Sequence, residues 1–173
     1  MVAADMLELK RPPGAPFDLV YCRLFLMHML DPVAALEKMA SWVKRGILAA
    51  QEFDFGAIGI EPPCPAMAEF NRMFEGVFRG HGRNLRAGRQ LPAQFEAAGL
   101  GLPDGNEATA KFIPLKDMAQ MLIGVYQSLF ASAVGIADPV RSEAFKADIT
   151  EAGEDGRYYC LTPILIAAWK RLA

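Results

Sequence analysis

Apolar residues at two different spacings predict most of the elements of this chain. Residues 17–22 and 47–55 form mostly apolar runs of strand length, which is the pattern of strands buried on both faces of a sheet. Apolar residues recur at helical spacing over 33–43 and again over 67–77. Residues 115–134 predict a long helix that is apolar nearly all round, so we expect it to be buried or covered by a partner.

Proline, glycine and aspartate mark the expected boundaries. Asp31 and Asp138 each precede a proline, and this pair of residues predicts a helix N-cap followed by the first helical residue. Gly46 is expected to end the helix that Asp31 begins. The pair 91–92, Leu-Pro, is expected to open a short helix that ends at Gly99.

Further strands are expected near both ends of the chain. Residues 1–9 are typical of the end of a strand that runs into a turn, and 108–113 predict a short strand. Residues 158–169 predict a final strand, in which Pro163 favours an edge position or a bulge, although part of this run could be helical. Strands alternate with helices through the first hundred residues, which indicates a parallel α/β sheet with right-handed crossovers.

Composition narrows the class of protein. The chain has 173 residues, of which 53% are hydrophobic and 22% charged, as expected for one globular domain. A net charge of −2 favours neither nucleic acid nor an anionic membrane as a partner. Three scattered cysteines without zinc-ligand spacing indicate reduced thiols, a cytoplasmic protein and no metal site. We find no signal-peptide pattern, and the most apolar terminal run, 161–169, is too short to span a bilayer.

Four stretches of the chain resemble, in order, successive parts of one known protein family. Residues 17–46, FDLVYCRLFLMHMLDPVAALEKMASWVKRG, are similar to that family's fourth strand, the following loop and the next helix. Residues 47–55, ILAAQEFDF, resemble its fifth strand with an acidic end. Residues 85–100, LRAGRQLPAQFEAAGL, resemble the segment that leads into the late strands. Residues 158–171, YYCLTPILIAAWKR, resemble its closing strand. Taken together, the four stretches resemble the class I S-adenosylmethionine-dependent methyltransferases of the small-molecule subgroup.

The resemblance implies a Rossmann-like α/β fold that is incomplete at the N-terminus and carries helical insertions near the C-terminus. Residues 1–173 would then form a single partial domain, similar to the family from the end of its third strand onward. The family's glycine-rich cofactor loop, and the acid that follows its second strand, have no counterpart here. Its fourth strand pairs with its first, so strand 17–22 is expected to have an open edge for a partner chain or a second copy of this chain. A partner chain or a second copy would supply the missing parts of the family's fold; the third explanation is that the given sequence is a truncated protein.

The family's activity implies methyl transfer from S-adenosylmethionine to an oxygen or nitrogen of a small molecule. Asp5 and Met6 would contact the adenine of the cofactor, while Arg23 and Leu24 would lie against its methionine part. Arginine suits a carboxylate because its guanidinium presents a fixed fork of donors. The alternatives are that Asp5 caps a turn over residues 6–8 and that Arg23 pairs with a nearby acid.

Two histidines are candidate bases for the proton of the methyl acceptor. His28 follows the first predicted strand, and His81 lies in the basic loop 80–90, which covers the substrate pocket in the family. The alternatives are a structural hydrogen bond from His28 to a backbone carbonyl and a solvated loop around His81. The basic loop lacks the glycine and lysine pattern of a phosphate cradle.

The second predicted strand ends in acidic residues on the side where ligands bind in such sheets. Glu52 and Phe53 are candidate substrate-binding residues, whereas Asp54 is interpreted as a solvated loop acid. Strand alternation places Glu52 and Asp54 on one face, so one of the two carboxyl groups is expected to have a raised pKa. Phe70 and Phe74 either line an apolar substrate pocket or belong to the core.

A second function belongs to a different class. The chain could be a non-catalytic, methyltransferase-like interaction subunit that works through its open strand edge, and the missing glycine-rich loop favours this alternative. The sequence does not identify the methyl acceptor.

Overall fold

The computed structural model describes residues 5–133 and 135–173 of the chain, which form an α/β protein. The strands are β1 (Phe17–Arg23), β2 (Val43–Asp54), β3 (Gly59–Glu61), β4 (Gly105–Thr109), β5 (Phe112–Pro114), β6 (Tyr159–Leu161) and β7 (Ile164–Leu172). The helices are α1 (Pro32–Ala40), α2 (Pro65–Gly80), α3 (Ala87–Ala97), α4 (Leu115–Ser132) and α5 (Pro139–Asp155). Within the described residues, no helix has the length and apolarity needed to cross a bilayer.

Contacts divide the described chain into two compact units. Unit 1 contains residues 5–54, 86–109 and 164–173, and unit 2 contains residues 55–85 and 110–163 without the undescribed Val134. The expectation of a single partial domain stays a prediction, since two contact units can belong to one domain.

Unit 1 is a four-stranded sheet with strand order β1-β2-β7-β4. β1 and β2 are parallel, whereas β7 runs antiparallel to both β2 and β4, so the parallel sheet expected from the sequence is in fact mixed. Helices α1 and α3 contact β2. The core of unit 1 contains fully buried side chains from these helices and strands, including Leu36, Leu48, Leu91 and Phe95.

Unit 2 combines α2, α4 and α5 with a small antiparallel sheet of strand order β3-β6-β5. Its core contains a group of aromatic rings among aliphatic side chains. The rings of Tyr126 and Phe145 stack with their centroids 4.1 Å apart, and those of Phe70 and Phe74 stack at 5.4 Å.

The two helix starts predicted from Asp-Pro pairs are confirmed. The side chain of Asp31 accepts the N–H of Ala34 at 2.9 Å, and that of Asp138 accepts the N–H of Val140 at 3.0 Å. In both helices proline is the first residue, where its missing N–H leaves no intrahelical bond unmade. These caps were predictable because the cap and its partner are two or three residues apart.

The predicted end of α1 at Gly46 is wrong. The helix ends at Ala40, and β2 begins at Val43 and passes through Gly46. A Cβ atom at position 46 would overlap the backbone carbonyl of Asp18 in β1. This glycine therefore permits a close approach of two strands and does not terminate a helix.

Three other predicted boundaries also change. The single strand expected over 158–169 is two strands, β6 and β7, which lie in different sheets and are separated by Thr162 and Pro163. The strand expected over 108–113 is likewise divided into β4 and β5. Helix α3 begins at Ala87, one turn before the predicted start, and contains Pro92.

β1 is an edge strand of its sheet, as expected, but it is not buried on both faces. Among the described residues, only β2 pairs with it. Leu19 is 59% exposed and Tyr21 is 52% exposed. Residues 6–8 form a turn, whereas the strand end expected before them falls on residues 1–4, outside the described part of the chain.

Candidate functional site

The loop that follows β1 starts at the same sheet edge as the end of β2. The two strands are parallel, with Arg23 beside Gln51, so their carboxyl ends lie together. We call residues 24–31 the β1 loop. It opens at Leu24, whose φ of 50° lies in the left-handed region that most side chains avoid, and whose N–H donates to the carbonyl of Gln51 at 2.8 Å.

The carboxyl group of Glu52 holds the β1 loop from inside the core. Glu52 is completely buried. Its Oε1 accepts the backbone N–H of Phe25 at 2.8 Å and that of Leu26 at 2.6 Å. Within the described part of the chain, Oε2 has no hydrogen-bond partner. Burial raises the pKa of this carboxyl group above its ordinary value, against the lowering effect of the N–H donors. A raised pKa at one of the two strand-end acids was expected from repulsion between them, but its cause here is burial.

Asp54 is not the solvated loop acid that we expected. It is 2% exposed, and one of its carboxylate oxygens pairs with Nε of Arg89 in α3. The neighbouring Gly88 permits this contact, since a Cβ atom there would lie 2.7 Å from the carbonyl oxygen of Glu52. The sequence interpretation missed the pair because it placed Arg89 in a loop.

The thiol of Cys22 lies beside this buried carboxyl group. Burial and the charge of Glu52 raise the pKa of Cys22 to about 12. The thiol is therefore protonated at neutral pH and is a poor nucleophile. The three cysteines are all free thiols.

The residues predicted to contact a cofactor occupy the surface of unit 1. The carboxylate of Asp5 accepts the N–H of Leu7 at 2.9 Å, so Asp5 caps the turn as the structural alternative expected. Met6 packs at the margin of the unit 1 core. Arg23 is exposed at the end of β1 and is continuous with Leu24.

The two candidate bases lie in different units. His28 is exposed within a short 3₁₀ turn, Leu26–His28, in the β1 loop of unit 1. His81 is exposed at the end of α2 in unit 2, with its Nδ1 atom 2.8 Å from the carbonyl oxygen of Val77. Because Nδ1 is engaged in this contact, Nε2 is the ring nitrogen of His81 that could accept a proton from a substrate.

The aromatic residues predicted to bind substrate also lie in different units. Phe53 is half-buried on β2 in unit 1. Phe70 and Phe74 are 2% and 8% exposed within the unit 2 core, as the core alternative expected. The structure therefore brings together Arg23, Leu24, His28 and Glu52, near Phe53, and places the other two aromatics elsewhere.

A polar cluster in unit 2 was missed by the sequence interpretation. The carboxylate of Glu69 accepts two hydrogen bonds from Arg72, at 2.6 and 2.9 Å, and one from the hydroxyl of Tyr126 at 2.8 Å. Arg141 lies 3.5 Å from the same carboxylate. These partners, above all Arg72, lower the pKa of Glu69, which therefore stays ionised. The i, i+3 spacing of Glu69 and Arg72 was the available signal.

Over residues 5–133 and 135–173, no group of three His, Cys, Asp or Glu side chains is placed to hold a metal ion.

Comparisons with known proteins identify the fold. No family model matches the chain, and no curated protein matches it significantly. A candidate methyltransferase of an antibiotic biosynthesis pathway from Anabaena variabilis matches 99% of the chain, with a TM-score of 0.59 and 14% identity. A candidate methyltransferase from Bacillus halodurans matches 99% of the chain, with a TM-score of 0.54 and 17% identity. The chain spans 72% and 76% of these two structures.

The fold is therefore the Rossmann-like α/β fold found in these methyltransferase structures, with a sheet flanked by helices. At such low identity the similarity concerns the fold and leaves the chemistry open.

Proposed function

We propose that this chain takes part in methyl transfer from S-adenosylmethionine to an oxygen or nitrogen atom of a small molecule. The observation that carries the proposal is the fold shared with two candidate methyltransferases over 99% of the chain. When bound, S-adenosylmethionine supplies an electrophilic methyl group on a sulfonium. The protein's part is to align the acceptor and remove its proton. The three reduced thiols support the cytoplasm as the location.

The described residues fit one side of such a cofactor. The β1 loop is held by its hydrogen bonds to Glu52 and by the N–H of Leu24, which donates to the carbonyl of Gln51. In this proposal Arg23, which is exposed beside the loop, binds the carboxylate of the cofactor's methionine part. Leu24 packs against the same part of the cofactor. Asp5, whose Oδ1 accepts a backbone N–H, offers its other oxygen to the adenine amino group, next to Met6.

The other side of the cofactor needs additional chain. Residues 5–133 and 135–173 include no glycine-rich turn between a first strand and a helix. We therefore propose that the site is completed in an assembly, by a second copy or by a partner chain at the β1 edge.

His28 is the preferred base in this proposal. It is exposed and lies in the loop that would flank the cofactor, whereas His81 belongs to the other unit. Phe53 would contact the methyl acceptor. Glu52 was a candidate for the same task, but its carboxyl group faces the loop backbone, which favours a supporting role.

A non-catalytic interaction subunit is the second candidate function. It is favoured by the open edge of β1, where Leu19 and Tyr21 are more than half exposed. Titration calorimetry with S-adenosylhomocysteine separates the two. Micromolar binding, about −8 kcal/mol, would support the enzyme. A folded chain that binds none would support the interaction subunit.

Arg23→Ala tests the site within the same experiment. We expect this substitution to weaken the binding of S-adenosylhomocysteine at least about tenfold, since a bidentate charged contact is lost. Arg45→Ala is the matched control, because Arg45 is exposed near the opposite end of β2. Equal affinities of both variants and the wild type would remove Arg23 from the site.

A further inference from the structure

We propose that unit 2 contains a ligand site of its own, a groove between α2 and α5 that binds a small dipolar molecule. Such a molecule has an ammonium group at one end of a short aliphatic chain and a carboxylate at the other. All residues that line the groove belong to unit 2, and none of them belongs to the candidate site in unit 1. The inference therefore holds whether or not the chain binds S-adenosylmethionine.

The groove is a space that small side chains leave between two packed helices. Helices α2 and α5 contact each other, and Ala68 of the first and Ala144 of the second line a cavity of about 350 Å³. The lining also includes the side chain of Phe145, which is only 1% exposed. This volume is at the lower end of the range for sites that hold small molecules. The groove therefore suits a short aliphatic chain.

The two ends of the groove carry opposite charges. Arg141 lies at one end, where it contacts Glu69 of α2, and Asp148 lies at the other end, beside Pro65 at the start of α2. The two helices are therefore antiparallel along the groove. Because Arg141 and Asp148 are seven positions apart on α5, they share one face of the helix and stand about 10.5 Å apart along its axis.

The guanidinium of Arg141 retains donors for a ligand. It lies 3.5 Å from Glu69 and 3.4 Å from Asp138, which is longer than a charge-assisted hydrogen bond. Both carboxylates have closer partners. Glu69 accepts a hydrogen bond from Arg72 at 2.6 Å, and Asp138 accepts the N–H of Val140 at 3.0 Å. A ligand carboxylate can therefore take the fork of donors on Arg141 without breaking those bonds.

The carboxylate of Asp148 is the counterpart for an ammonium group. Within residues 5–133 and 135–173 it has no hydrogen-bond or ion-pair partner. A neighbouring cavity of about 280 Å³, which Asp148 also lines, adds the carboxylate of Glu151. The third acid of that cavity, Asp155, is already paired with Arg157. Asp148 and Glu151 therefore define the ammonium end of the groove.

The separation of the two ends sets the length of the ligand. A molecule that contacts Arg141 and Asp148 together needs its own charges roughly 5–10 Å apart, given the spacing along α5. The charges of glycine are too close together for this, whereas those of 6-aminohexanoate are far enough apart. Since the side chain of Arg141 is 58% exposed, water screens its ion pair with the ligand. We therefore expect millimolar affinity.

An NMR titration of the purified chain with 6-aminohexanoate tests the site. The amide resonances of Ala68 and Ala144 should shift and saturate at millimolar ligand. Glycine, hexanoate and hexylamine, which each lack one feature, should bind at least about threefold more weakly. The absence of a saturable shift would overturn the proposal. Hexanoate or hexylamine that binds as tightly as 6-aminohexanoate would overturn the two-ended site.

Variants that remove one charge locate the ligand. Asp148→Asn and Arg141→Gln should each weaken the binding of 6-aminohexanoate about threefold or more. Glu154→Gln in α5 and Arg79→Gln in α2 are the matched controls, because both side chains are exposed and lie outside the groove. The controls should bind like the wild type. Equal losses in the variants and the controls would reveal a general effect of charge and refute the groove as the site.

A variant that fills the groove provides a test without any change of charge. Ala144→Leu should abolish binding and leave the chain folded, since Ala144 is exposed at the groove. Ala147→Leu, at an exposed position of α5 outside the groove, should bind like the wild type. Undiminished binding to Ala144→Leu would overturn the proposal. Binding of S-adenosylhomocysteine is measured separately, so the groove and the proposed methyl transfer can each fail alone.

Discussion

Replacing Glu52 with alanine should destabilise unit 1 because it leaves two backbone donors without an acceptor. The N–H groups of Phe25 and Leu26 both donate to one oxygen of Glu52. A buried donor that loses its partner costs about 1–3 kcal/mol, so the two together amount to about 2–6 kcal/mol. Glu52→Gln retains a carbonyl oxygen at the same position and should cost less than about 1 kcal/mol.

Urea unfolding measures this difference. The fluorescence of Trp42 and Trp169 reports on unit 1, where both tryptophans lie. Amide hydrogen exchange at Phe25 and Leu26 should accelerate in Glu52→Ala and stay slow in Glu52→Gln. Glu107→Ala, which removes an exposed acid from β4, is the control. If alanine at position 52 cost no more than alanine at 107, the proposed support of the β1 loop would be refuted.

The same residue predicts a dependence on pH. Its pKa is raised in the folded state above the ordinary 4.5, mainly by burial, so folding favours the protonated carboxyl group. The stabilisation is complete below the unfolded pKa and is lost as pH rises through the folded value. The wild type should therefore lose stability relative to Glu52→Gln as pH increases above 4.5, in urea titrations at matched ionic strength. A constant difference would contradict the raised pKa.

Four further substitutions test local packing and hydrogen bonding by urea unfolding. Gly88→Ala should cost about 1–3 kcal/mol, because its Cβ would lie 2.7 Å from a backbone oxygen of β2. Gly124→Ala should stabilise the chain by about 0.5–1 kcal/mol, because a Cβ atom at this helical position would have open space around it. If Gly88→Ala were the stabilising change and Gly124→Ala the destabilising one, the packing described around Gly88 would be disproved. Tyr126→Phe should cost about 1 kcal/mol, since it removes the hydroxyl bond to Glu69; no loss would show that the arginine partners suffice. Asp31→Ala should lower the free energy of unfolding by about 0.5–2 kcal/mol, because the hydrogen bond that caps α1 is lost. An unchanged stability would show that water fully replaces this bond.

The sequence predicted best those features whose cause is local. The helix starts at Asp31 and Asp138 depend on a side chain and an N–H two or three residues away. The amphipathic repeat of α2 is local in the same sense. Helix α4 was expected to be apolar nearly all round, but one face of it is exposed, at Lys116, Gln120 and Gln127. Residues 17–22 and 47–55 were recognised as strands from apolar runs alone, although the exposure of β1 was not.

The features that were missed have causes distant in the chain. Gly46 is explained by the carbonyl of Asp18 in the neighbouring strand, and no local pattern distinguishes this glycine from one that ends a helix. Pro163 interrupts a continuous apolar run because the chain passes there from one sheet to another. Arg89 was assigned to a loop, so its pairing with Asp54 across 35 positions remained hidden.

The sequence predicted where the candidate site lies better than it predicted what the individual residues do there. Strand-end rules indicated Arg23, Leu24 and Glu52, and the structure places them at one sheet edge. They did not indicate that Glu52 faces inward, because its partners in the β1 loop lie 26 and 27 residues earlier.

The position of β7 has a consequence for biosynthesis. This strand is the last of the described chain, yet it lies between β2 and β4. As the chain leaves the ribosome, β2 and β4 emerge first and have no shared partner until residues 164–172 follow. Such long-range pairing is slow and leaves unpaired strands exposed to aggregation or chaperones. A nascent chain stopped before residue 164 would lack the middle of its sheet, so unit 1 can complete its sheet only after residues 164–172 have been translated.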